Sequence, residues 1–299
     1  MTSDVFRILL LSDIHATTAG LDDYGVDGAG LLAQLLLEIR QEDPVDLVVV
    51  CGDVTDDGER SSCASVREIV DVFADSLGIA RVFLPGNHDS RATFRRVLGA
   101  GHFGSGGSEV ATRVHESDEC AAVSLHNGLR VVTLDSVVPG AMFGALSNAQ
   151  LAWLTEVLED NAPRGTVLAL HHPPLTLQGS PFLNKVGLRN SNELAKVLKG
   201  TDVHGILCGH FHAPIAGSLG AKPVWVTPGV ANQVDLTAPP DVLRFVSGAG
   251  ASIIALASEG PATFQVIRSE SGRRDRVIQE IQVTPELLSQ HEIADVDAG

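Results

Sequence analysis

Aromatic and basic residues are scarce in this 299-residue chain. It has ten Phe, two Trp and one Tyr, so aliphatic side chains and alanine must fill the core. Lysine and arginine number 21 against 37 acidic residues, which gives a formal net charge of −16. A surface this acidic is poorly suited to the phosphate backbone of a nucleic acid. We therefore expect no binding of nucleic-acid duplexes.

Cysteines and long apolar runs are also sparse. The four cysteines form no CxxC pair and no zinc spacing, so they do not predict a disulfide framework or a zinc site. No apolar run approaches the ~20 residues of a transmembrane helix. The first one, residues 8–11, is too short for the core of a signal peptide. We expect a cytoplasmic protein without a membrane span.

Strand-like and helix-like segments alternate along most of the chain, which is typical of an α/β fold. The predicted strands cover residues 5–11, 46–51, 81–84, 121–125, 129–134, 167–170, 206–208 and 224–226. The predicted helices cover residues 30–40, 61–77, 147–159 and 192–198, with Ser147 and either Ser61 or Ser62 as N-caps. The Asn127-Gly128 pair between two apolar runs predicts a β-hairpin.

The texture of the sequence changes after residue 236. An Ala-Pro-Pro connector leads to three further predicted strands, at residues 252–257, 262–267 and 277–283. We expect a catalytic domain over residues 1–236 and a β-rich extension over 237–299. The extension is expected to pack on the core or to form the contact of a homodimer.

Several predicted strands end in a turn residue that is followed at once by Asp, His or Asn. These positions are Asp13 and His15 (SDIH), Asp53 (GDVTDDG), Asn87 and His88 (GNHD), His171 (HHPP), and His210 and His212 (GHFH). Ligand sites of open α/β sheets collect at the carboxyl ends of strands, so we expect these side chains to converge. Each motif alone is as consistent with a cap or a turn. Five in order, each at a strand end, favour a site.

The converging side chains offer oxygen and nitrogen donors and no thiolate, a set that suits Mn, Fe, Co or Zn. Residues i and i+2 of an extended segment point to the same side, so Asp-x-His and His-x-His are expected to present two donors each. Two divalent ions carry about +4; two carboxylates and a bridging hydroxide reduce this to about +1. Such a centre would attract phosphate despite the acidic chain.

Together these motifs resemble the calcineurin-like metallophosphoesterase superfamily over about residues 5–235. The GDVTDDGE, HHPP and CGHFHAPI segments are most similar to the bacterial class III cyclic-nucleotide phosphodiesterases and their glycerophosphodiesterase relatives. The resemblance implies a four-layer α/β/β/α sandwich, the metallophosphoesterase fold. It also implies a binuclear centre of two metal ions, with Mn and Fe expected before Zn or Co.

Carried over residue by residue, the resemblance implies a role for each candidate. Asp13, His15 and His212 would bind the first metal, Asn87, His171 and His210 the second, and Asp53 would bridge both. His88 would contact the phosphate and protonate the leaving group without binding metal, and Asp89 would orient His88 by a hydrogen bond. Of the adjacent pair His171 and His172, the first is expected to be the ligand. A metal-bridging hydroxide would attack phosphorus.

The implied activity is hydrolysis of a small phosphodiester, with 3′,5′-cyclic nucleotides as the expected substrate. A phosphomonoesterase of broad specificity is the main alternative. The purple acid phosphatases of this superfamily place a Tyr ligand shortly after the bridging Asp, whereas the one Tyr here, Tyr24, precedes Asp53. A metal-binding scaffold without catalysis is a third reading, which the complete ligand set disfavours.

Overall fold

The computed structural model describes residues 5–39, 44–258, 260–270 and 275–290. The strands are β1 Val5–Leu11, β2 Leu47–Cys51, β3 Ala80–Leu84, β4 His102–Phe103, β5 Arg113–Val114, β6 Ala122–His126, β7 Leu129–Thr133, β8 Thr166–Ala169, β9 Val203–Cys208, β10 Ile215–Leu219, β11 Lys222–Val226, β12 Gln233–Val234, β13 Val242–Val246, β14 Gly250–Ala257, β15 Thr263–Arg268 and β16 Val277–Gln282. The helices are α1 Gly28–Ile39, α2 Arg60–Leu77, α3 Arg91–Leu98, α4 Asn148–Val157, α5 Pro181–Val186, α6 Ser191–Leu198 and α7 Pro285–Gln290.

Two large sheets form the centre of the fold. The first has the order β15-β14-β1-β2-β3-β4, in which β1, β2 and β3 run parallel. The second has the order β10-β11-β9-β8-β7-β6-β5, in which β7, β8, β9 and β11 run parallel. Their parallel strands are linked mainly by helices, as the alternating pattern predicted.

Alternate side chains of the strands pack into different layers. In β1, Leu9 and Leu11 pack with residues of α1, α2 and α3, whereas Ile8 and Leu10 pack between the two sheets. In β8, Leu168 packs with residues of α4, α5 and α6, and its neighbours point into the space between the sheets. This period of two sorts the apolar side chains into three layers of core. The expected α/β/β/α sandwich is confirmed.

Local turn and capping signals have mixed outcomes. Asn127 and Gly128 have φ of 48° and 88° and join β6 to β7, which fits a type I′ hairpin turn. Ser147 caps α4, since its hydroxyl accepts a hydrogen bond from Gln150 N. The cap predicted for α2 is wrong: the helix begins after Glu59, and Ser62 Oγ donates to the Asp57 carboxylate instead.

The chain beyond residue 236 contributes to two sheets. β14 pairs with β1, and β15 pairs with β14, so both belong to the first sheet. β13 lies between β12 and β16 in a third, three-stranded antiparallel sheet. Within the described residues, none of the helices combines the length and the apolar character needed to cross a bilayer.

Candidate metal centre

The predicted ligands all follow the carboxyl ends of parallel strands. Asp13, Asp53 and Asn87 come after β1, β2 and β3 of the first sheet, and His171 and His210 come after β8 and β9 of the second. Glycines let these loops approach closely. A Cβ on Gly52, which has φ of 86°, would lie 2.3 Å from His171 Nδ1. The two sheets therefore bring five distant segments to one place.

Left-handed backbone is concentrated in these loops. Five of the seven predicted ligands have positive φ: Asp13 at 56°, His15 at 49°, Asp53 at 45°, His210 at 70° and His212 at 48°. Non-glycine residues rarely adopt this conformation, and strain of this kind gathers at functional sites. The expectation that Asp-x-His and His-x-His are extended segments is wrong. The paired donors converge through left-handed turns that begin after the strands have ended.

Backbone hydrogen bonds hold these turns against one another. The amides of Ile14 and His15 both donate to Asp53 O, at 2.9 and 3.1 Å. The amide of His210 donates to both carboxylate oxygens of Asp13, at 3.1 and 3.0 Å. Loops from β1, β2 and β9 are thus joined by bonds that do not involve the side-chain nitrogens of the site.

Asp13, His15 and His212 form a first group of donors. His212 Nε2 lies 3.4 Å from Asp13 Oδ1 and 3.3 Å from His15 Nε2. One ligand atom from each residue lies within 4.8 Å of the other two, and all three side chains are buried. This spacing allows the three atoms to surround one cation.

Asp53, His171 and His210 form a second group with the same spacing. His171 Nε2 lies 3.2 Å from Asp53 Oδ2. The same carboxylate oxygen lies 3.6 Å from His15 Nε2, so Asp53 stands between the two groups. Asn87 Oδ1 is buried and has no hydrogen-bond partner among the described residues, so it is available as a ligand atom for a cation.

Each imidazole has one nitrogen committed to an acceptor. His171 Nδ1 donates to Cys51 O at 2.7 Å, His15 Nδ1 to Asp56 Oδ1 at 2.9 Å, His212 Nδ1 to Asn232 O at 3.3 Å and His210 Nε2 to Val186 O at 3.0 Å. The second nitrogen of each ring is left for a metal. Metal-binding histidines are held in this manner, with the far N–H on a carboxylate or carbonyl, so the residues fit a bound cation.

The pKa values of two buried histidines of the site are shifted in opposite directions. Burial lowers the pKa of His171, but the charge of Asp53 and a hydrogen bond to it prevail and raise the pKa to about 9. The pKa of His210 lies well below its usual range because of burial and the charges of His172 and His171. Metal binding requires the neutral form of a histidine, so a cation at this group would compete with a proton on His171.

His172 lies beside this group. Its Nδ1 is bonded to Ser136 Oγ at 2.8 Å, and its ring centroid lies 4.5 Å from that of His210. The pKa of His172 lies well below its usual range, because of burial and the charge of His171. His171, by contrast, belongs to the group around Asp53. The geometry favours His171 as the ligand of the pair.

His88 lies at the open side of the site, with its side chain 39% exposed. Its ring stands edge-on to that of His15 at 4.7 Å, and one of its nitrogens lies within 4.8 Å of ligand atoms of His15 and Asp53. Burial lowers the pKa of His88, but the charge of Asp53 and the bond to Asp56 prevail and raise it to about 9. His88 can therefore carry a proton at neutral pH.

The residue that orients His88 is Asp56, and the expected Asp89 bond is wrong. Asp56 Oδ1 lies 3.0 Å from His88 Nδ1 and also accepts from His15. The Asp89 carboxylate accepts from the amides of Gly86, Val54 and Thr55 and from the Thr55 hydroxyl. Asp89 thus fixes the loops around the site. The sequence feature that could have pointed to Asp56 is the additional Asp that follows Asp53 in the GDVTDDG segment.

A cavity of about 250 Å³ opens beside these residues. Its polar side is formed by His15, Asp53, Asn87, His88 and His210, with Asp56 at the rim. Among the described residues that line it there is no Lys or Arg. Positive charge for an anionic ligand must therefore come from bound cations or from protonated histidine.

Comparison with known proteins agrees with this geometry. The sequence family described as calcineurin-like phosphoesterase matches residues 6–214. The chain belongs to the calcineurin-like phosphoesterase family. A cAMP/cGMP dual specificity phosphodiesterase of Mycobacterium tuberculosis is 36% identical over 82% of this chain and 73% of its own length. A probable glycerophosphodiester phosphodiesterase of Arcobacter nitrofigilis is 29% identical over 69% of this chain and 71% of its own.

Solved structures share the fold of this calcineurin-like phosphoesterase. A purple acid phosphatase from yellow lupin seeds superposes with a TM-score of 0.55 at 12% identity, over 95% of this chain and 55% of that one. The family and the Asp/His groups identify the chain as a metal-dependent hydrolase of phosphoesters.

Proposed function

We propose that this enzyme hydrolyses small phosphodiesters, foremost 3′,5′-cyclic nucleotides, with two metal ions held by the seven ligands. Asp13, His15 and His212 would bind one ion, Asn87, His171 and His210 the other, and Asp53 both. The relative from M. tuberculosis named as a cAMP/cGMP phosphodiesterase supports this substrate class. The mixed N/O donors suit Mn, Fe, Co and Zn, and the family resemblance places Mn and Fe before the other two.

The described lining of the cavity has no basic side chains, and this observation favours a diester over a monoester as the substrate. A phosphomonoester brings nearly two negative charges to the site at neutral pH, whereas a diester brings one. The described lining includes Asp22, Asp53 and Asp56 and no Lys or Arg. With so little positive charge beyond the cations, the singly charged diester is the better ligand. A phosphomonoesterase of broad specificity is correspondingly disfavoured.

The chain's own residues hold the substrate and move a proton. Two bound cations would supply a water of lowered pKa and clamp the phosphoryl oxygens. His88, the exposed imidazole of the site, would donate its proton to the leaving oxygen. Asp56 would keep the His88 ring in place through its bond to Nδ1, which leaves Nε2 to face the substrate.

A substrate panel tests this proposal. Enzyme reconstituted with Mn²⁺ is assayed on cAMP, cGMP, glycerophosphoethanolamine, bis-p-nitrophenyl phosphate and p-nitrophenyl phosphate. We expect kcat/KM for diesters to exceed that for the monoester by at least about tenfold, the equivalent of about 1.4 kcal/mol. Equal or higher kcat/KM for the monoester would overturn the proposal. Turnover of glycerophosphoethanolamine alone would reject the cyclic nucleotide and keep the diester.

His88 has its own test within this proposal. His88→Ala should lower kcat by about 10²- to 10⁴-fold, the usual contribution of a general acid. Metal content should stay at two ions per chain, since His88 is not among the seven ligands. Loss of one ion with the substitution would instead make His88 a ligand.

A further inference from the structure

One side of the cavity is apolar. Leu243 and Phe245 of β13 and Ile281 of β16 line it from the third sheet, and Phe182 and Leu183 line it from α5. We name these five side chains the apolar wall. The wall combines strands from the C-terminal part of the chain with a helix of the catalytic part. No residue of the hydrolytic chemistry described above belongs to it.

The wall begins directly beside a metal ligand. The ring centroid of Phe245 lies 5.8 Å from that of His212, in an edge-on arrangement. A phosphate held at the metal centre would therefore place its nearest substituent within reach of Phe245. The cavity is continuous from His88 and His210 to the third sheet.

Tyr24 reaches the third sheet from the loop between β1 and α1. Gln279, the partner of Phe245 in the β13–β16 pairing, donates a hydrogen bond from Nε2 to the Tyr24 hydroxyl at 2.9 Å. Both residues line the cavity, and Tyr24 is 54% exposed. An aromatic ring is thus anchored over the mouth of the cavity, near the apolar wall.

We propose that the apolar wall and Tyr24 bind the nucleobase of the substrate. This inference rests on the proposed phosphodiesterase function and assigns a place to the base. A nucleobase is flat and uncharged, so it can lie against apolar and aromatic side chains. Asp22 and Asp56 also line the cavity and disfavour a second anionic group there.

The lining of the cavity also favours a nucleoside group over a small polar headgroup. The cavity has a volume of about 250 Å³, and its lining includes both apolar and polar side chains. A glycerol headgroup would leave the wall uncovered. Asn232 and Gln279 add polar groups to the lining of the cavity.

Phe245→Leu tests the wall, with Phe264→Leu as the matched control. Phe264 is also a partly buried Phe of a C-terminal strand, but it packs between the two large sheets and does not line the cavity. Phe245→Leu should lower kcat/KM for cAMP by about 5- to 20-fold, the low part of the range for loss of an aromatic partner to a base. The kcat/KM for glycerophosphoethanolamine, which has no base, should fall by a clearly smaller factor than that for cAMP.

A binding experiment separates this inference from the proposed function. The riboside of 2-aminopurine loses fluorescence when it stacks, so its Kd is measured by titration with metal-free protein. We expect the wild-type protein to quench the fluorescence. The Kd should rise about 5-fold in Phe245→Leu and in Tyr24→Leu, and it should stay unchanged in Phe264→Leu.

The outcomes are distinct. Riboside binding that both variants weaken, without turnover of any diester, would support the base site and reject the phosphodiesterase. In the opposite outcome, the wild-type enzyme hydrolyses both cAMP and glycerophosphoethanolamine, and kcat/KM for the two substrates changes by the same factor in Phe245→Leu and in Tyr24→Leu. That result would reject the base site and keep the phosphodiesterase. Thermal melts of each variant identify any that fails to fold, and Tyr24→Leu, at an exposed residue, then decides the test.

Discussion

Replacing Asp56 with Asn removes one negative charge from the site and leaves the shape of the side chain nearly unchanged. The Asp56 carboxylate bonds Nδ1 of both His15 and His88, at 2.9 and 3.0 Å, and these bonds hold its pKa well below the usual range. Hydrogen bonds to charged groups contribute about 1.5–3 kcal/mol each when buried. Because the side chain is 37% exposed, solvent screens both, and we expect about 1.4–2.8 kcal/mol in total.

This free energy corresponds to a loss of about 10- to 100-fold in kcat/KM. The assay is Mn²⁺-dependent hydrolysis of bis-p-nitrophenyl phosphate, with the metal Kd measured by calorimetry. A shift in metal Kd reports on His15, and a fall in kcat at saturating metal reports on His88. Asp57→Asn is the control, since the Asp57 carboxylate bonds Thr18, Glu59 and Ser62 instead. Wild-type kcat/KM and metal affinity in Asp56→Asn would refute the positioning role.

Two predictions concern stability. Burial lowers the pKa of His102 to about 3 and that of His126 to about 4, so the unfolded chain binds more protons below about pH 6.5. The contribution of this pair to stability is fully present above that pH and is lost as the pH falls toward 4. Urea unfolding in the presence of chelator should show that the free energy of unfolding of His102→Asn falls less steeply with decreasing pH, by up to about 1.4 kcal/mol per pH unit. An unchanged slope would contradict the assignment. A Cβ on Gly209 would lie 1.7 Å from Ser12 Oγ, so Gly209→Ala should lower the free energy of unfolding by about 1–3 kcal/mol. Adding Ser12→Gly should restore part of that loss, and full stability of the single variant would disprove the clash.

The convergence of the candidate side chains could be predicted because each of them follows a strand that its own residues specify. Apolar runs that end at Leu11 and Cys51 predicted buried strands, and the polar residues just after them predicted where ligands meet. The Asn127-Gly128 turn and the Ser147 cap were equally local signals. Local signals failed at the start of α2, where the helix begins after Glu59 and not after Ser61 or Ser62.

Other features of the site depend on contacts between distant segments. The bond from Asp56 to His88 joins loops after β2 and β3, and no spacing in either motif encodes which carboxylate reaches the ring. The left-handed backbone of Asp13 and His212 follows from packing of one loop against another. The apolar wall could not be predicted from the sequence for the same reason, because Phe245 and Phe182 line one cavity only in the folded chain.

Metal stoichiometry against turnover tests the central claim most directly. Enzyme is stripped with chelator, and Mn²⁺ is returned in steps while bound metal and hydrolysis of bis-p-nitrophenyl phosphate are measured on the same samples. We expect no turnover without metal, full turnover at two ions per chain, and loss of both binding and turnover in Asp53→Asn, since Asp53 stands between the two groups. Turnover that survives complete removal of metal, or that is full in Asp53→Asn, would contradict the account.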